Sequence, residues 1–344
     1  MNYFPLNIAR QGTIHVWPQT IGSSATGIDL NSRKANDAAL TETGYRTDTD
    51  AGPMARNEIL WPEARTAMIT GAGGLLGRAM HARLTDSGWR VLALPRTELD
   101  ITNEEHVRRA VEVAAPRILI NCAATADVDR CEVEPDWAYA INEKGPRILA
   151  RACREFGADI VHVSTDYVFD GSKDGLYTQE DEPRPLGVYG KTKLAGEFAV
   201  REEAERFYLV RTSWLFGRGG KNFGSRVIEY ARNGAQLKGV LDQISIPTYA
   251  PDLAGRIEEI VGLGAHGLYQ ITSSGPATWL DFARRALDLA GLSQVEIEPV
   301  TRAQLNQRAP RPKNSAMRCL VTEKLGLEPM RHWRDALVEF VPQC

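Results

Sequence analysis

The chain has no large excess of either charge: 41 Lys and Arg stand against 44 Asp and Glu over 344 residues, leaving a formal net charge of −3. That balance supplies no global field for nucleic acid or an anionic membrane, so neither is expected as a partner and any anionic ligand must meet a local site. No C-x-x-C pair occurs among the five cysteines at 122, 131, 153, 319 and 344. An odd number without paired spacing argues against a disulfide framework and structural zinc, and fits reduced thiols in a cytoplasmic protein. The six histidines (15, 81, 106, 162, 266, 332) are dispersed, so no metal site is predicted. His162 lies in an apolar run and reads as a satisfied core histidine. No charge-free apolar stretch approaches the ~20 residues that span a bilayer, and no basic segment precedes an apolar core at the N-terminus, so neither membrane insertion nor export is expected.

Periodicity is also missing from residues 1–65, where Thr, Asn, Asp, Gly and Ala interrupt scattered apolar residues. These residues are expected to form a disordered extension; a docking segment built on Trp17 and Trp61, or a true start at Met54, are the alternatives. From Thr66 the pattern changes to regular strand and helix alternation. Strands are predicted at 66–70, 90–94, 117–121, 159–164 and 207–211, and helices at 75–87, 103–114, 136–156 and 189–204. Such alternation means an α/β fold with a doubly wound parallel sheet. A dinucleotide-binding domain is expected over 66–215, with a smaller C-terminal substrate lobe over 216–344 and segments near 240–272 returning to the first domain. In the lobe, helices are predicted at 223–233, 252–262 and 279–290, the last with Thr278 and Asp281 as an N-terminal capping pair.

Gly71, Gly74 and Gly77 follow the first strand and open the first helix. Glycines there permit a tight turn, close backbone approach to a pyrophosphate and close helix packing, while the helix N-terminus favours negative charge. After the second strand, where an acid would select NAD, the sequence reads Leu94-Pro95-Arg96. Arg96 points to NADPH, with NADH as the alternative if Arg96 is only a solvated surface residue. Tyr189 and Lys193 stand four residues apart on a helical stretch, so a cation lies beside a phenol and is expected to lower its pKa from ~10 towards a usable acid or base. Ser164, Thr165 and Asp166 end a strand at the edge of the sheet where α/β enzymes bind ligands; a plain turn or capping cluster is the other reading.

In their order along the chain, Gly71 to Gly77, Leu99 to Thr102, Val163 to Gly171, Val188 to Glu197, Arg211 to Trp214, Asp242-Gln243 with Pro247-Thr248, and Arg311 to Ser315 resemble the dTDP-4-dehydrorhamnose reductases, within the extended short-chain dehydrogenases. The resemblance covers about Thr66 to Val341. It implies a Rossmann-type fold and NAD(P)H-dependent reduction of the C4 ketone of dTDP-4-dehydro-L-rhamnose to dTDP-L-rhamnose. It also implies Thr165, Tyr189 and Lys193 as catalytic residues, and a cofactor site of Gly71, Gly74, Leu75, Leu76, Gly77, Arg96, Asp100, Ile101, Ala123 and Ala124 together with Tyr189 and Lys193. Ser164, Thr165, Asp166, Trp214, Gln243 and Arg311 would face the substrate, Arg311 at its diphosphate. Two departures stand out. The run Ala123 to Asp129 carries an extra small residue and an extra Asp, and Ala79 replaces the glutamate with which some relatives dimerise around Mg²⁺. A monomer or weak homodimer without a bridging metal is therefore expected. The same fold also serves sugar-nucleotide epimerases and dehydratases, and the non-catalytic regulatory subunit of methionine adenosyltransferase, which are the competing functions.

Overall fold

The computed structural model describes residues 65–344 except Lys221. The predicted extension, with Trp17, Met54 and Trp61, lies outside them. The first half alternates as expected: β1 (Thr66–Thr70), α1 (Leu75–Asp86), β2 (Arg90–Leu94), α2 (Glu104–Ala114) and β3 (Ile118–Asn121) are followed by α3 (Val128–Val133), α4 (Pro135–Tyr139), α5 (Gly145–Glu155), β4 (Asp159–Thr165), α6 (Val188–Glu203) and β5 (Phe207–Thr212). Beyond Trp214 come β6 (Leu215–Phe216), α7 (Phe223–Arg232), β7 (Leu237–Val240), β8 (Ile244–Ser245), β9 (Thr248–Tyr249), α8 (Ala250–Gly262), β10 (Gly267–Gln270), β11 (Ala277–Thr278), α9 (Trp279–Leu289) and β12 (Ile297–Val300). The capping pair at the start of α9 is present, Thr278 and Asp281 each bonding the other's backbone N–H.

One expected helix is divided. Between α4 and α5 the backbone widens into a π turn over Ala140–Lys144. Pro146 has no N–H to close an α-helical hydrogen bond, and an inserted residue absorbs the mismatch. The turn puts Asn142 in the interior, where Oδ1 accepts from Thr125 N and Nδ2 donates to Thr125 O and Thr192 Oγ1.

Six strands form one sheet in the order β10-β5-β4-β3-β1-β2, every neighbour parallel. Both faces of a sheet covered by helices must be apolar, and the period of two assigns alternate residues to each. Ala67 and Ile69 join Leu76, Met80, Leu253 and Ile257 of α1 and α8 on one face; Met68 joins Val107, Val111, Ile148 and Leu149 of α2 and α5 on the other. A separate aromatic core, with Phe216, Phe223, Trp279, Phe282, Trp333 and Phe340, lies within the C-terminal segment. β10 crosses back from that segment to the edge of the sheet.

Between β1 and β3 the winding reverses, and ligands of open α/β sheets bind at such a point, outside the carboxyl ends of the strands. On the neighbouring α6, Gly196 lies so close to the π turn that a Cβ there would collide with the Asn142 carbonyl oxygen. Gly196→Ala is thus expected to lower unfolding stability by about 1–3 kcal/mol in urea titration through overpacking. Gly255→Ala, on α8 with open space around it, should be neutral or stabilising by up to ~1 kcal/mol.

Candidate active site

A cavity of about 470 Å³ opens at the reversal point, lined by the ends of β1, β2 and β3 and the segments that follow them. Gly71 holds φ +66°, and a Cβ at this residue would stand 2.6 Å from Ala123 N; the turn therefore reaches the next loop only as glycine. Gly77 packs its α-carbon against the turn, where a Cβ would meet Gly71 O at 2.5 Å. Gly71, Gly74, Arg96, Asp100, Ile101, Ala123 and Ala124 of the predicted cofactor set all line this cavity. Leu75, Leu76, Gly77, Tyr189 and Lys193 do not; Leu76 is buried in the sheet core, which fits a role in seating α1. Arg96 is largely exposed and lies 4.0 Å from Asp100. Asp100 accepts from the backbone and hydroxyl of Thr102, which hold its carboxyl below the usual range.

Sequence patterns did not single out several other lining residues, among them Cys122, Asp127, Arg130 and Trp137. Arg130 lies over the Trp137 ring at 3.8 Å and pairs with Glu134 through two nitrogens. Asp127 caps α3 by accepting from Arg130 N. The departing run Ala123 to Asp129 is the signal that could have located them, since it forms the loop and first turn that close this side.

The Tyr189 and Lys193 pair lies on α6, but its electrostatics differ from the expectation. Burial pushes the Tyr189 phenol up rather than down, with Asp166 adding to the rise and the Thr165 side chain opposing it. Lys193 engages β4: Nζ donates to Val163 O at 2.7 Å and lies 3.5 Å from His162 Nε2. Burial of the ammonium lowers Lys193 to about 8. The amine sits beneath the cavity, close enough for its charge to bear on Cys122, whose thiol burial raises to about 12. The start of α6 is fixed by Glu132, whose carboxylate accepts from Val188 N at 2.7 Å.

Thr165 and Asp166 end β4 in a buried cluster. Thr165 accepts from Tyr167 N and donates to Asp166 Oδ1 at 3.1 Å, while Asp166 Oδ2 accepts from Ser245 and Ser315. Ser164 faces the opposite way, as strand alternation requires, and donates to Glu197 instead of joining Thr165. Gln243 joins the cluster by donating to the Tyr167 hydroxyl at 3.1 Å, and Tyr167 meets Tyr189 edge to face. Arg311 is not free for an anion: both terminal nitrogens engage Asp129, at 3.1 and 3.0 Å, in a nearly buried pair. Trp214 adopts φ +41°, uncommon for a bulky residue, and stacks on Trp279 at 3.6 Å. Trp214 Nε1 and Gln243 Oε1 are buried without a protein hydrogen-bond partner. Among the described residues no group of three or more His, Cys, Asp or Glu could hold a metal ion, and no helix is long and apolar enough to cross a membrane.

Burial raises Asp166 from 3.8 to about 6 despite its three hydroxyl donors. The folded state therefore favours the protonated acid, and stability is lost as pH rises from 3.8 through 6. Relative to Asp166→Asn, the wild-type protein should lose about 3 kcal/mol of unfolding free energy between pH 3.5 and 7 in urea titrations, at roughly 1.4 kcal/mol per pKa unit. A pH-independent difference between the two proteins would show that the carboxyl titrates in the folded protein where it does in the unfolded chain, which would overturn the rise.

Comparison with known proteins identifies the family. A family model described as the RmlD substrate binding domain matches residues 65–344. A dTDP-4-dehydrorhamnose reductase of Streptomyces griseus is 41% identical over 281 residues, 80% of this chain and 92% of the relative. A dTDP-4-keto-6-deoxy-D-glucose reductase of Streptomyces niveus is 37% identical over 276 residues, 80% of this chain and 96% of the relative. The crystal structure of dTDP-4-dehydrorhamnose reductase from Bacillus anthracis in complex with NADP superposes with a TM-score of 0.80 at 34% identity, covering 82% of this chain and all of that one. The parallel sheet, the glycine turn and the length of the match lead to one conclusion: the chain belongs to the dTDP-4-dehydrorhamnose reductase family.

Proposed function

We propose that this protein is an NADPH-dependent oxidoreductase that reduces the C4 ketone of dTDP-4-dehydro-L-rhamnose to give dTDP-L-rhamnose. The reading is supported by the glycine-lined cavity at the reversal point of the sheet together with the end of β4, where the Thr165 side chain bears on the Tyr189 phenol and Val163 O accepts from the Lys193 amine, whose charge reaches Cys122 in the cavity lining. A dinucleotide fits that cavity: Gly71 and Gly74 keep side chains out of the space a pyrophosphate needs, and Arg96 is exposed at its rim for a 2′-phosphate. NADPH, when bound, supplies the hydride. Asp100, Ile101, Ala123 and Ala124 would hold it, and Lys193 would hold its nicotinamide ribose.

The chain's own chemistry is the delivery of one proton. Its raised pKa keeps Tyr189 protonated at neutral pH, so Oη carries the proton that the developing alkoxide at C4 must receive. Thr165 hydrogen-bonds the same oxygen, its hydroxyl turning from Asp166 to do so. Trp214, stacked on Trp279, offers a flat apolar wall and an unpartnered indole N–H to the sugar nucleotide, and Gln243 offers an unpartnered carbonyl oxygen. Arg311 reaches the diphosphate only by exchanging it for Asp129. The protein acts as a monomer or weak homodimer in the cytoplasm.

Tyr189→Phe removes one hydroxyl and little else, so kcat for NADPH oxidation by enzymatically generated dTDP-4-dehydro-L-rhamnose is expected to fall by about 10² to 10⁴ while NADPH affinity is kept. Undiminished turnover would reassign the acid. A non-catalytic binding protein would turn over substrate in neither form. Arg96→Ala is expected to lower the ratio of kcat/KM for NADPH over NADH by roughly tenfold, the loss of one exposed charge-assisted contact; an unchanged ratio would make Arg96 a solvated surface residue.

A further inference from the structure

Parallel sheets buried on both faces are normally apolar throughout, yet a row of polar side chains crosses this one. Thr70 of β1, Asn121 of β3 and His162 of β4 are successive register partners, each 1% exposed or less, on the face that meets α6. Burying them is costly unless every donor and acceptor is satisfied, and that requirement fixes the order of the hydrogen bonds. The backbone N–H of Ala123 can only donate, and its acceptor at 3.0 Å is Asn121 Oδ1. Thr70 Oγ1 donates to the same oxygen at 2.8 Å. The Asn121 amide therefore turns its Nδ2 to His162 Nδ1, 3.0 Å away. An amide nitrogen can only donate, so Nδ1 accepts, and a neutral imidazole must carry its proton on Nε2. Burial and the nearby lysine keep this imidazole neutral.

Nε2 faces Lys193 Nζ at 3.5 Å. An N–H opposite an amine has a partner if the amine is neutral and offers its lone pair, and has none if the amine is an ammonium. We propose that the Thr70, Asn121 and His162 chain makes His162 a positioning residue, which presents an N–H to the Lys193 amine in the cofactor-free protein, favours its neutral form there, and so couples cofactor binding to the uptake of one proton by Nζ. The proton comes from solvent buffer, and the Nζ–H it creates replaces the lone pair that faced His162. Other titratable groups around Nζ do not supply this effect. Cys122 stays a neutral thiol, the Tyr189 phenol stays protonated, and Glu197, one turn along α6, would favour the ammonium but is held in a two-point pair by Arg211 of β5.

The inference rests on the assignment of Lys193 to the cofactor, which is tested separately: Lys193→Met should weaken NADPH binding, and unchanged affinity would refute that assignment alone. The chain itself is read by nitrogen-15 NMR of histidine-labelled, cofactor-free protein, with the His162 signal identified by its loss in His162→Gln. The Nε2–H tautomer is expected, and a Nδ1–H tautomer or an imidazolium would overturn the proposal. Proton uptake is read by titration calorimetry of NADPH binding at pH 8.5 in two buffers of different ionisation enthalpy, where the wild-type protein should take up on the order of half a proton or more. His162→Gln can accept from Asn121 through Oε1 and donate to Lys193 through Nε2, so uptake should persist. Asn121→Asp accepts from all three neighbours, moves the imidazole proton to Nδ1 and turns an acceptor on Lys193; uptake should fall by at least half. Equal uptake in the wild-type and Asn121→Asp proteins, or its loss in His162→Gln, would overturn the inference.

Discussion

The structure depends on how closely α6 lies on the sheet, and a buried ion pair sets that distance. Arg211 of β5 reaches Glu197 of α6 with two nitrogens, at 2.9 and 2.7 Å, with both side chains 3% exposed. Removing either partner would leave a charge stranded in the core, a loss of about 3–5 kcal/mol, whereas the intact pair adds little net stability. Its value is geometric. With Ser164 completing the acceptor set of Glu197 and Gly196 admitting the Asn142 carbonyl, the helix has one axial position and one rotation. Tyr189, one turn before Lys193, and Lys193, one turn before Glu197, are thereby placed at fixed heights above β4.

Two further buried contacts relate this frame to the C-terminal segment. Asp166 gathers a hydroxyl from Ser245 and another from Ser315, and Asp129 binds both Ala309 N and the Arg311 fork. Each acid belongs to the first half of the chain and each donor to the second. A substrate between the halves would meet groups that are already satisfied by one another, so its recognition involves exchange of partners as well as addition of contacts.

Much of this was legible in the sequence because it is local. The glycine turn, the strand and helix rhythm and the Thr278 and Asp281 cap depend on neighbours within a few residues, and the Tyr189 and Lys193 spacing put both on one helix. The charge relation within that pair was not legible. Four residues of separation establish proximity along α6, but whether the ammonium faces the phenol or the Val163 carbonyl depends on β4, some 30 positions away. The Asp129 and Arg311 pair spans 182 positions and has no local signature. Arg130 and Trp137 were hidden for a related reason: they line the cavity on α3 and α4, which pack against α6, an element about 60 positions later, and no short pattern encodes that packing.

The strand order has a consequence for synthesis. β5 carries buried residues almost throughout, yet its outer neighbour β10 is encoded after the whole segment from Ser213 to His266. A chain growing from its N-terminus therefore completes five strands and then holds the backbone of β5 as an open edge until β10 is made, with Trp279, Phe282, Trp333 and Phe340 of the aromatic core still to follow. Exposed apolar edges of this kind pair readily with other chains. The interval between β5 and β10 is thus the stage of biogenesis at which the nascent protein most needs dilution or a chaperone.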